Sequence, residues 1–321
     1  MNRKSILDDI KEYDIKKPIS EIKARVEPGG EYCHRIILKD EVVSEVIYDF
    51  LINENPCMIA RFGDNELRAL MAGLSEKFPT YFLTKRNLTR KYINFFEGAG
   101  FFPQNINLLP RYADLMIDAC ESVDMLGVWF NRYEDFIIEH FCDENTKLCG
   151  LGKLEAYSDL KNPWSKALEG KKVLVIHPFE QSIKSQYKRR TELFGEYDVL
   201  PNFELITLKA VQTIAGMKDN RFKDWFEALE YMHKESQQID FDVAIIGCGA
   251  YGFPLAAMIK RDGKKAIHLG GATQVMFGIK GKRWDDNPYI SKLYNDSWCY
   301  PMDEETPLKK FLVEGGTYWK P

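Results

Sequence analysis

The stretch "CMIARFGDNEL", from Cys57 to Leu67, joins an apolar run to a turn that carries an arginine, a glycine and two acids. The apolar run has the length of a buried strand, and the acids Asp64 and Glu66 follow directly after it. In open α/β sheets, ligands bind in the crevice beyond the carboxyl ends of the strands. The stretch therefore predicts a strand whose end contributes charged groups to a binding site.

The two acids have two interpretations. Mg²⁺ and Mn²⁺ prefer oxygen ligands and often take one or two carboxylates together with substrate phosphates, so Asp64 and Glu66 are candidate metal ligands. Gly63 would let the backbone approach closely, and Arg61 could pair with a phosphate or hold a carboxylate. The spacing also suits an ordinary helix start, in which Asp64 or Asn65 caps the helix and Glu66 lies in its first turn.

The rest of the chain alternates between strand and helix patterns. Strands are predicted at 56–60, 126–130, 171–179, 203–211, 241–246 and 264–271, and helices at 41–53, 66–73, 109–123, 182–195, 220–239 and 252–261. Such alternation indicates a mostly parallel sheet covered by helices. We predict a Rossmann-like three-layer α/β/α sandwich in a single domain, 1–321. A helical N-terminal extension (1–40) and a helical, aromatic-rich insert (75–165) are expected to decorate it.

The stretch "GCGAYG" (247–252) matches the pattern G-x-G-x-x-G, follows a predicted strand and opens a helix. This context favours phosphate binding by backbone N–H groups, as in NAD- or FAD-binding proteins. However, the next strand ends in His268 and Gly270, where an acid for the ribose is expected. Binding of another nucleoside diphosphate, and simple close packing of strand and helix, remain alternatives.

A second strand end carries polar groups in "HPFEQSIK" (177–184). His177 and Glu180 are candidates for acid–base chemistry only because they lie beyond a strand. Ser182 and Lys184 would begin the following helix, where they could bind an anion. The alternative is a hydrogen-bonded core histidine, a helix cap and a solvated helix face.

Composition narrows the class of protein. The chain of 321 residues has a net charge of −4 and no long basic tail, which gives no support for nucleic-acid binding. Its seven cysteines include no C-x-x-C pair, which fits reduced thiols in a reducing compartment. No apolar run is long enough to span a membrane, and no signal peptide is evident. No Walker A, G-x-S-x-G or H-E-x-x-H motif occurs.

"IARFGDNEL" resembles the D-x-E segment of bacterial GT-D-type glycosyltransferases, usually written R-F-G-D-G-E, with Asn65 where that family commonly has glycine. "FDVAIIGCGAYGFPLAAMIKRDGKKAIHLGG" resembles the family's late strand–glycine turn–helix–strand unit. The resemblance implies transfer of a sugar from a nucleotide-diphosphate sugar, with a UDP-sugar favoured. The acceptor would be a glycan or lipid-linked glycan in surface polysaccharide or glycoconjugate assembly, and the cofactor Mn²⁺ or Mg²⁺.

The resemblance also implies residue roles. Asp64 and Glu66 would hold the metal against the donor diphosphate, with Arg61 and Gly63 framing it. The glycines of the turn, Gly247, Gly249 and Gly252, would approach the nucleotide. A cytoplasmic enzyme is expected, with a peripheral position at the inner membrane face and a homo-oligomer as further expectations.

Two rival functions remain from the sequence. An NAD(P)- or FAD-binding oxidoreductase would use the glycine turn and need no metal. A non-catalytic nucleotide-binding subunit would bind the nucleotide without turnover.

Overall fold

The computed structural model describes residues 9–10, 12–13, 26–77, 92–214, 217 and 219–321. The strands of these residues are β1 (Glu31–Tyr32), β2 (Arg35–Ile36), β3 (Cys57–Arg61), β4 (Met125–Val128), β5 (Lys147–Gly150), β6 (Lys172–His177), β7 (Glu204–Lys209), β8 (Val243–Ile246) and β9 (Lys265–His268). The first two form a short antiparallel hairpin, and the other seven form the main sheet.

The helices of the described residues cover this sheet. They are α1 (Asp40–Ile52), α2 (Asp64–Lys77), α3 (Tyr92–Gly98), α4 (Leu109–Cys120), α5 (Glu134–Phe141), α6 (Glu180–Tyr187), α7 (Arg190–Leu193), α8 (Trp225–Gln237), α9 (Gly252–Arg261), α10 (Ala272–Met276) and α11 (Lys282–Asp285). Short 3-10 turns lie at Ile106–Leu108, Leu151–Leu154, Ala156–Ser158, Trp164–Leu168, Gly249–Tyr251, Ile290–Leu293, Asp303–Glu305 and Lys310–Leu312.

The main sheet has the strand order β5-β4-β3-β9-β8-β6-β7, and every neighbouring pair in it is parallel. With helices on both faces, this arrangement confirms the predicted Rossmann-like α/β fold. The chain runs outward from β3 to β4 and β5, then crosses to β6 and β7. Strands β8 and β9 then fill the middle of the sheet, so β9 alone joins the two halves.

Side chains alternate between the two faces of the sheet, as the pleat of a strand requires. In β3, Met58 and Ala60 pack into one hydrophobic core with α2, α4, α8 and α9. Cys57 and Ile59 pack into the other core with α1, α6 and the C-terminal aromatic residues. Because both faces are buried, these strands read as continuous apolar runs in the sequence.

The predicted insert at 75–165 needs a correction. The segments 125–128 and 147–150 are strands of the main sheet, paired with each other and, through β4, with β3. The region therefore builds one edge of the sheet instead of decorating it. The first of these strands, β4, was predicted at 126–130. The second, β5, was not predicted, because it is short and includes a lysine and a glycine, which hide the apolar pattern typical of a strand.

Most of the predicted N-terminal extension lies outside the described residues. Residues 9–10 and 12–13 are helical, whereas the part from Glu31 to Ile36 forms the hairpin of β1 and β2. Within the described part of the chain, no helix combines the length and the hydropathy needed to cross a membrane.

The crossing of α2 and α4 depends on one glycine. A Cβ atom at Gly73 would lie 2.1 Å from the carbonyl oxygen of Leu109 and 2.8 Å from the Cβ of Ala113. Backbone touches backbone here, so neither helix can yield by rotating a side chain. This contact fixes the direction of α2, the helix that begins at Asp64.

We expect Gly73→Ala to lower the free energy of unfolding by about 1–3 kcal/mol, because the added methyl group overpacks the helix crossing. Urea unfolding followed by circular dichroism measures this loss. Gly152→Ala is the matched control, since no atom lies within 4 Å of its Cβ position. Equal effects of the two substitutions would contradict the packing argument.

Candidate active site

A cavity of about 660 Å³ lies at the edge of the sheet where the carboxyl ends of its strands meet. Its walls come from the segments that follow all seven strands of the main sheet, together with residues 97–100, 283–284 and 312–319. Ligand pockets in proteins typically measure about 300–1,000 Å³. The cavity also lies where the strand order reverses, the usual binding crevice of an open α/β sheet.

The charged turn of the opening stretch forms one wall. Helix α2 begins at Asp64, and the Leu67 N–H donates to the Gly63 carbonyl at 2.9 Å. A Cβ at Gly63 would lie 1.7 Å from Oε2 of Glu66. The Glu66 carboxylate therefore folds back over the helix N-terminus into the space that only a glycine leaves open.

Asp64 and Glu66 differ in their partners. Oδ2 of Asp64 accepts a hydrogen bond from Nε of Arg68 at 2.6 Å, an i,i+4 ion pair on the helix surface. Glu66 has no ion pair within 4 Å among the described residues. Both side chains lie in the first turn of the helix and line the cavity. Because the helix already begins at Asp64, the predicted capping by Asp64 or Asn65 is not seen.

Arg61, at the end of β3, also lines the cavity. Its guanidinium carbon lies 4.7 Å from the ring centroid of Trp129, which follows β4. A Cβ at Gly270 would lie 3.2 Å from Nη1 of Arg61, so the guanidinium passes close to the turn after β9. No carboxylate of the described residues lies within 4 Å of it. A cation held by aromatic stacking is available to an anionic ligand.

The cavity lining has more acidic than basic side chains. Among the described residues, its lining includes five carboxylates and two guanidiniums, namely Asp64, Glu66, Glu97, Glu155 and Glu314 against Arg61 and Arg283. Burial raises the pKa of Glu66 above its usual range, and the nearby Arg61 guanidinium offsets part of that rise. An ionised Glu66 is therefore under-compensated, and a bound cation would stabilise its charged form.

Two neutral histidines form part of the lining. Nδ1 of His177 accepts a hydrogen bond from the Phe179 N–H at 2.9 Å, which leaves Nε2 as a donor. Nδ1 of His268 lies 3.3 Å from the Ile246 carbonyl, to which it donates, so Nε2 is an acceptor. Burial lowers the pKa of each ring to about 3. Neither ring carries a charge near neutral pH.

The glycine turn of 247–252 is shaped by packing. A Cβ at Gly247 would lie 2.7 Å from the Gly270 carbonyl oxygen, and one at Gly252 would lie 2.2 Å from the His268 ring. Gly249 has a φ of +59°, which disfavours other residues. Gly247 and Gly249 line the cavity, whereas Gly252 does not.

The structure does not bring Glu180, Ser182 or Lys184 to the cavity lining. Oε1 of Glu180 accepts hydrogen bonds from Lys184 and from Thr207, both at 2.7 Å. Ser182 is buried, and its N–H and hydroxyl both donate to the Glu305 carboxylate.

The anion at the beginning of α6 is therefore a side chain of the protein itself, the carboxylate of Glu305. The Gln181 N–H donates to Oε1 of Glu305 at 2.7 Å, and the Met302 N–H donates to the Ser182 hydroxyl at 3.0 Å. The Trp319 indole in turn donates to the Glu305 carbonyl at 3.1 Å. This network fastens the C-terminal segment against the helix.

Sequence reasoning missed several lining residues. Burial raises the pKa of Glu155 to about 7, and this half-buried carboxyl faces the same cavity as Arg61. Glu314 and Tyr318 come from the C-terminal segment, where both interact with Arg283. A search of predicted strand ends misses Glu155, because β5, the strand before it, was not predicted, and it misses Glu314 and Tyr318, because they lie far beyond the last strand of the sheet.

The acids fit only one kind of metal site. No group of three or more histidine, cysteine, aspartate or glutamate side chains in the described residues is arranged to hold a metal ion. Asp64 and Glu66 offer two carboxylates, one of them shared with Arg68. This donor set suits a hard cation that takes its remaining ligands from water and substrate phosphates.

The sequence and the structure were compared with known proteins. No model of a known protein family matches the sequence, and no curated protein matches it. The structure resembles a solved structure described as the selenomethionine-substituted domain of unknown function 1792 (DUF1792). The two share 11% identity over 83% of this chain and 95% of that chain, with a TM-score of 0.41. A likeness at this level carries no conclusion about activity.

We expect Glu305→Ala to lower the free energy of unfolding by about 2–3 kcal/mol, because it removes the acceptor of three donors at the beginning of α6, two of them buried. Limited proteolysis should also release the C-terminal segment faster. Glu304→Ala is the matched control, since that neighbour is exposed and should change stability by about 0.5 kcal/mol or less. Similar losses in both variants would contradict the anchoring role.

Proposed function

We propose that this protein is a metal-dependent glycosyltransferase that moves a sugar from a nucleotide-diphosphate sugar to a glycan acceptor. The observation that carries the proposal is the acid-rich cavity at the carboxyl edge of a parallel sheet, entered by the D-x-E acids of α2. Acidic side chains outnumber the two guanidiniums in the lining, so a diphosphate would bind there more favourably with a cation beside it. The resemblance of "IARFGDNEL" to GT-D-type enzymes supports the same function.

In this proposal, Asp64 and Glu66 hold the Mn²⁺ or Mg²⁺ ion. The ion would supply Lewis-acid stabilisation of the leaving diphosphate. Arg61 is free of carboxylate partners in the described residues and would bind a phosphate oxygen beside the ion. Gly247 and Gly249 line the same cavity and would bound the nucleotide.

The neutral histidines have different roles from a general base. His177 presents Nε2–H, so it would donate a hydrogen bond to a phosphate or sugar oxygen. With a pKa of about 3, it is too weak a base to take a proton from a hydroxyl near neutral pH. Glu180 is held by Lys184 and Thr207 outside the cavity lining.

Glu155 is the better proton acceptor. In the transfer, the acceptor hydroxyl forms a bond to the anomeric carbon, the bond to the nucleoside diphosphate breaks, and the hydroxyl proton must leave. A carboxylate with a pKa near 7 can accept that proton at the working pH. Its neighbour Leu154 is fixed by the Trp164 indole, which donates to the Leu154 carbonyl at 2.9 Å.

The rival functions fit the site less well. At Gly247 and Gly252, the space a side chain would fill is taken by neighbouring protein, which accounts for two of the three motif glycines without a dinucleotide. The strand β9 ends in His268, so no acid is placed there for a ribose. A non-catalytic subunit shares the nucleotide site and differs only in turnover, which the experiments below measure.

A thermal-stability assay tests the donor site. We expect UDP or UDP-glucose to raise the midpoint only when Mn²⁺ is present, and the Asp64→Asn/Glu66→Gln variant to lose this shift. A ligand at one hundred times its dissociation constant stabilises the folded state by about 2.7 kcal/mol. NAD and FAD are expected to give no shift.

Asp49→Asn/Glu54→Gln is the matched control, because both acids are exposed and the charge change is the same. It should retain the full metal-dependent shift. A shift with NAD or FAD that needs neither metal nor the two acids would overturn the proposal. Metal-dependent UDP binding without release of UDP from UDP-sugars, tested across glycan acceptors, would indicate the non-catalytic subunit.

The pH profile tests Glu155. Only its carboxylate form accepts a proton, so kcat should rise with pH and level off above about pH 7. Glu155→Gln should lower kcat by roughly 10²–10⁴-fold and abolish this rise, with little change in donor binding. Glu169→Gln, at an exposed position, should keep the wild-type profile. An unchanged profile in Glu155→Gln would rule out the role.

A further inference from the structure

The loop of residues 129–133 joins β4 to α5 and brings an aromatic side chain to the cavity. Its first residue, Trp129, lines the cavity beside Arg61. The guanidinium carbon of Arg61 lies 4.7 Å from the centroid of the Trp129 ring, within the range of a cation–π contact. Because Arg61 forms no ion pair within the described part of the chain, the ring holds the guanidinium without neutralising its charge.

The backbone of this loop is held in an unfavourable conformation. Phe130 has a φ of +61° and Tyr133 a φ of +71°, a region that bulky side chains rarely adopt. Glycine and asparagine tolerate this region, but neither position carries one of them. Strained backbone persists only where its surroundings enforce it, and it concentrates at active sites and ligand clamps. The contacts that enforce the conformation of this loop are therefore a guide to its function.

A buried carboxylate holds the first half of the loop. Glu134, the first residue of α5, is 0% exposed. Its Oε2 accepts hydrogen bonds from the N–H groups of Trp129 at 3.2 Å and Asn131 at 3.3 Å. A buried carboxyl group needs hydrogen-bond partners, and two of those partners here are backbone groups of the loop. Glu134 therefore fixes the backbone of the residue that carries the ring.

Aromatic side chains hold the rest of the loop. The Phe130 ring packs edge-on against the Tyr32 ring, with centroids 5.1 Å apart. The Tyr133 N–H donates to the Tyr13 hydroxyl at 3.2 Å, and that hydroxyl donates to Oδ1 of the buried Asp135 at 2.8 Å. The loop is thus held along its length, which leaves its aromatic first residue little conformational freedom to lose when a ligand binds.

We propose that Glu134 and Trp129 are positioning residues that aim the Arg61 guanidinium at an anionic group of the ligand. Glu134 fixes the loop, the loop fixes the Trp129 ring, and the ring holds Arg61 in the cavity wall with its charge available. The proposal rests on the proposed function in one respect, the phosphate that Arg61 would bind. The competing role of Trp129 is direct contact of its ring with the ligand, and the test separates the two.

Nuclear magnetic resonance of the full chain tests the positioning without a ligand. The Nε–H signal of Arg61, identified by its loss in Arg61→Lys, should be displaced by the ring current of Trp129. Trp129→Leu should abolish this displacement, and Glu134→Leu should reduce it because the ring is no longer held. Glu134→Gln keeps an acceptor oxygen and should preserve it. An Arg61 signal unaffected by Trp129→Leu, or by a folded Glu134→Leu protein, would overturn the proposal.

Calorimetric binding of UDP in the presence of Mn²⁺ tests the consequence for the ligand. Trp129→Leu should weaken this binding roughly fivefold to thirtyfold, the range that a cation–π contact supplies. Trp129→Phe keeps an aromatic face and should stay within about threefold of the wild type. In an Arg61→Ala background, Trp129→Leu should weaken binding no further, because the ring acts only through Arg61.

Tyr231→Leu is the matched control. The half-buried Tyr231 ring has its centroid 5.2 Å from the guanidinium carbon of Arg221, and neither residue lines the cavity. This variant should bind UDP as the wild type does. A full loss from Trp129→Leu on top of Arg61→Ala would overturn the proposal and indicate direct contact with the ligand. If the wild type shows no Mn²⁺-dependent UDP binding, the proposed function fails instead, and the resonance of Arg61 still decides the positioning.

Discussion

The segments after β8 and β9 pack so closely that the positions of Gly247 and Gly252 have no room for a side chain. At Gly247 a Cβ would meet the Gly270 carbonyl oxygen at 2.7 Å, and at Gly252 it would meet the His268 ring at 2.2 Å. This approach brings the turns after β8 and β9 against His177 at the end of β6. The residues after these three strands form part of one cavity wall, and the shape of that wall depends on glycines.

The charge balance of the cavity is costly for the folded protein. Burying a carboxylate without a partner disfavours its ionised form, and the raised pKa of Glu66 shows that cost. A hydrophobic or amide side chain would be cheaper at such a position if stability were all that mattered. Buried ionisable groups with shifted pKa values cluster at functional sites, which is why Glu66 is a candidate site residue.

The sequence predicted the strands and helices that depend on contacts between nearby residues. The strands and helices from residue 171 to residue 271 follow apolar periodicity and turn residues, and the structure has each of them, except that the single helix predicted at 182–195 is two helices, Glu180–Tyr187 and Arg190–Leu193. The anion partner of Ser182 could not be found this way, because Glu305 lies 123 positions away. Glu155 was missed because β5, which precedes it, lacks the apolar pattern of a strand. The sequence predicted that Asp64 and Glu66 follow a strand end, but it did not show which other acids line the same cavity.

The central position of β9 has a consequence for how the protein is made. Translation produces β3 to β5 first and β6 to β8 next, so two half-sheets can form before the strand that joins them exists. Until residues 265–268 leave the ribosome, β3 and β8 each present an unpaired edge to solvent, and such edges are prone to aggregate. A nascent chain halted between β8 and β9 would therefore depend on chaperones.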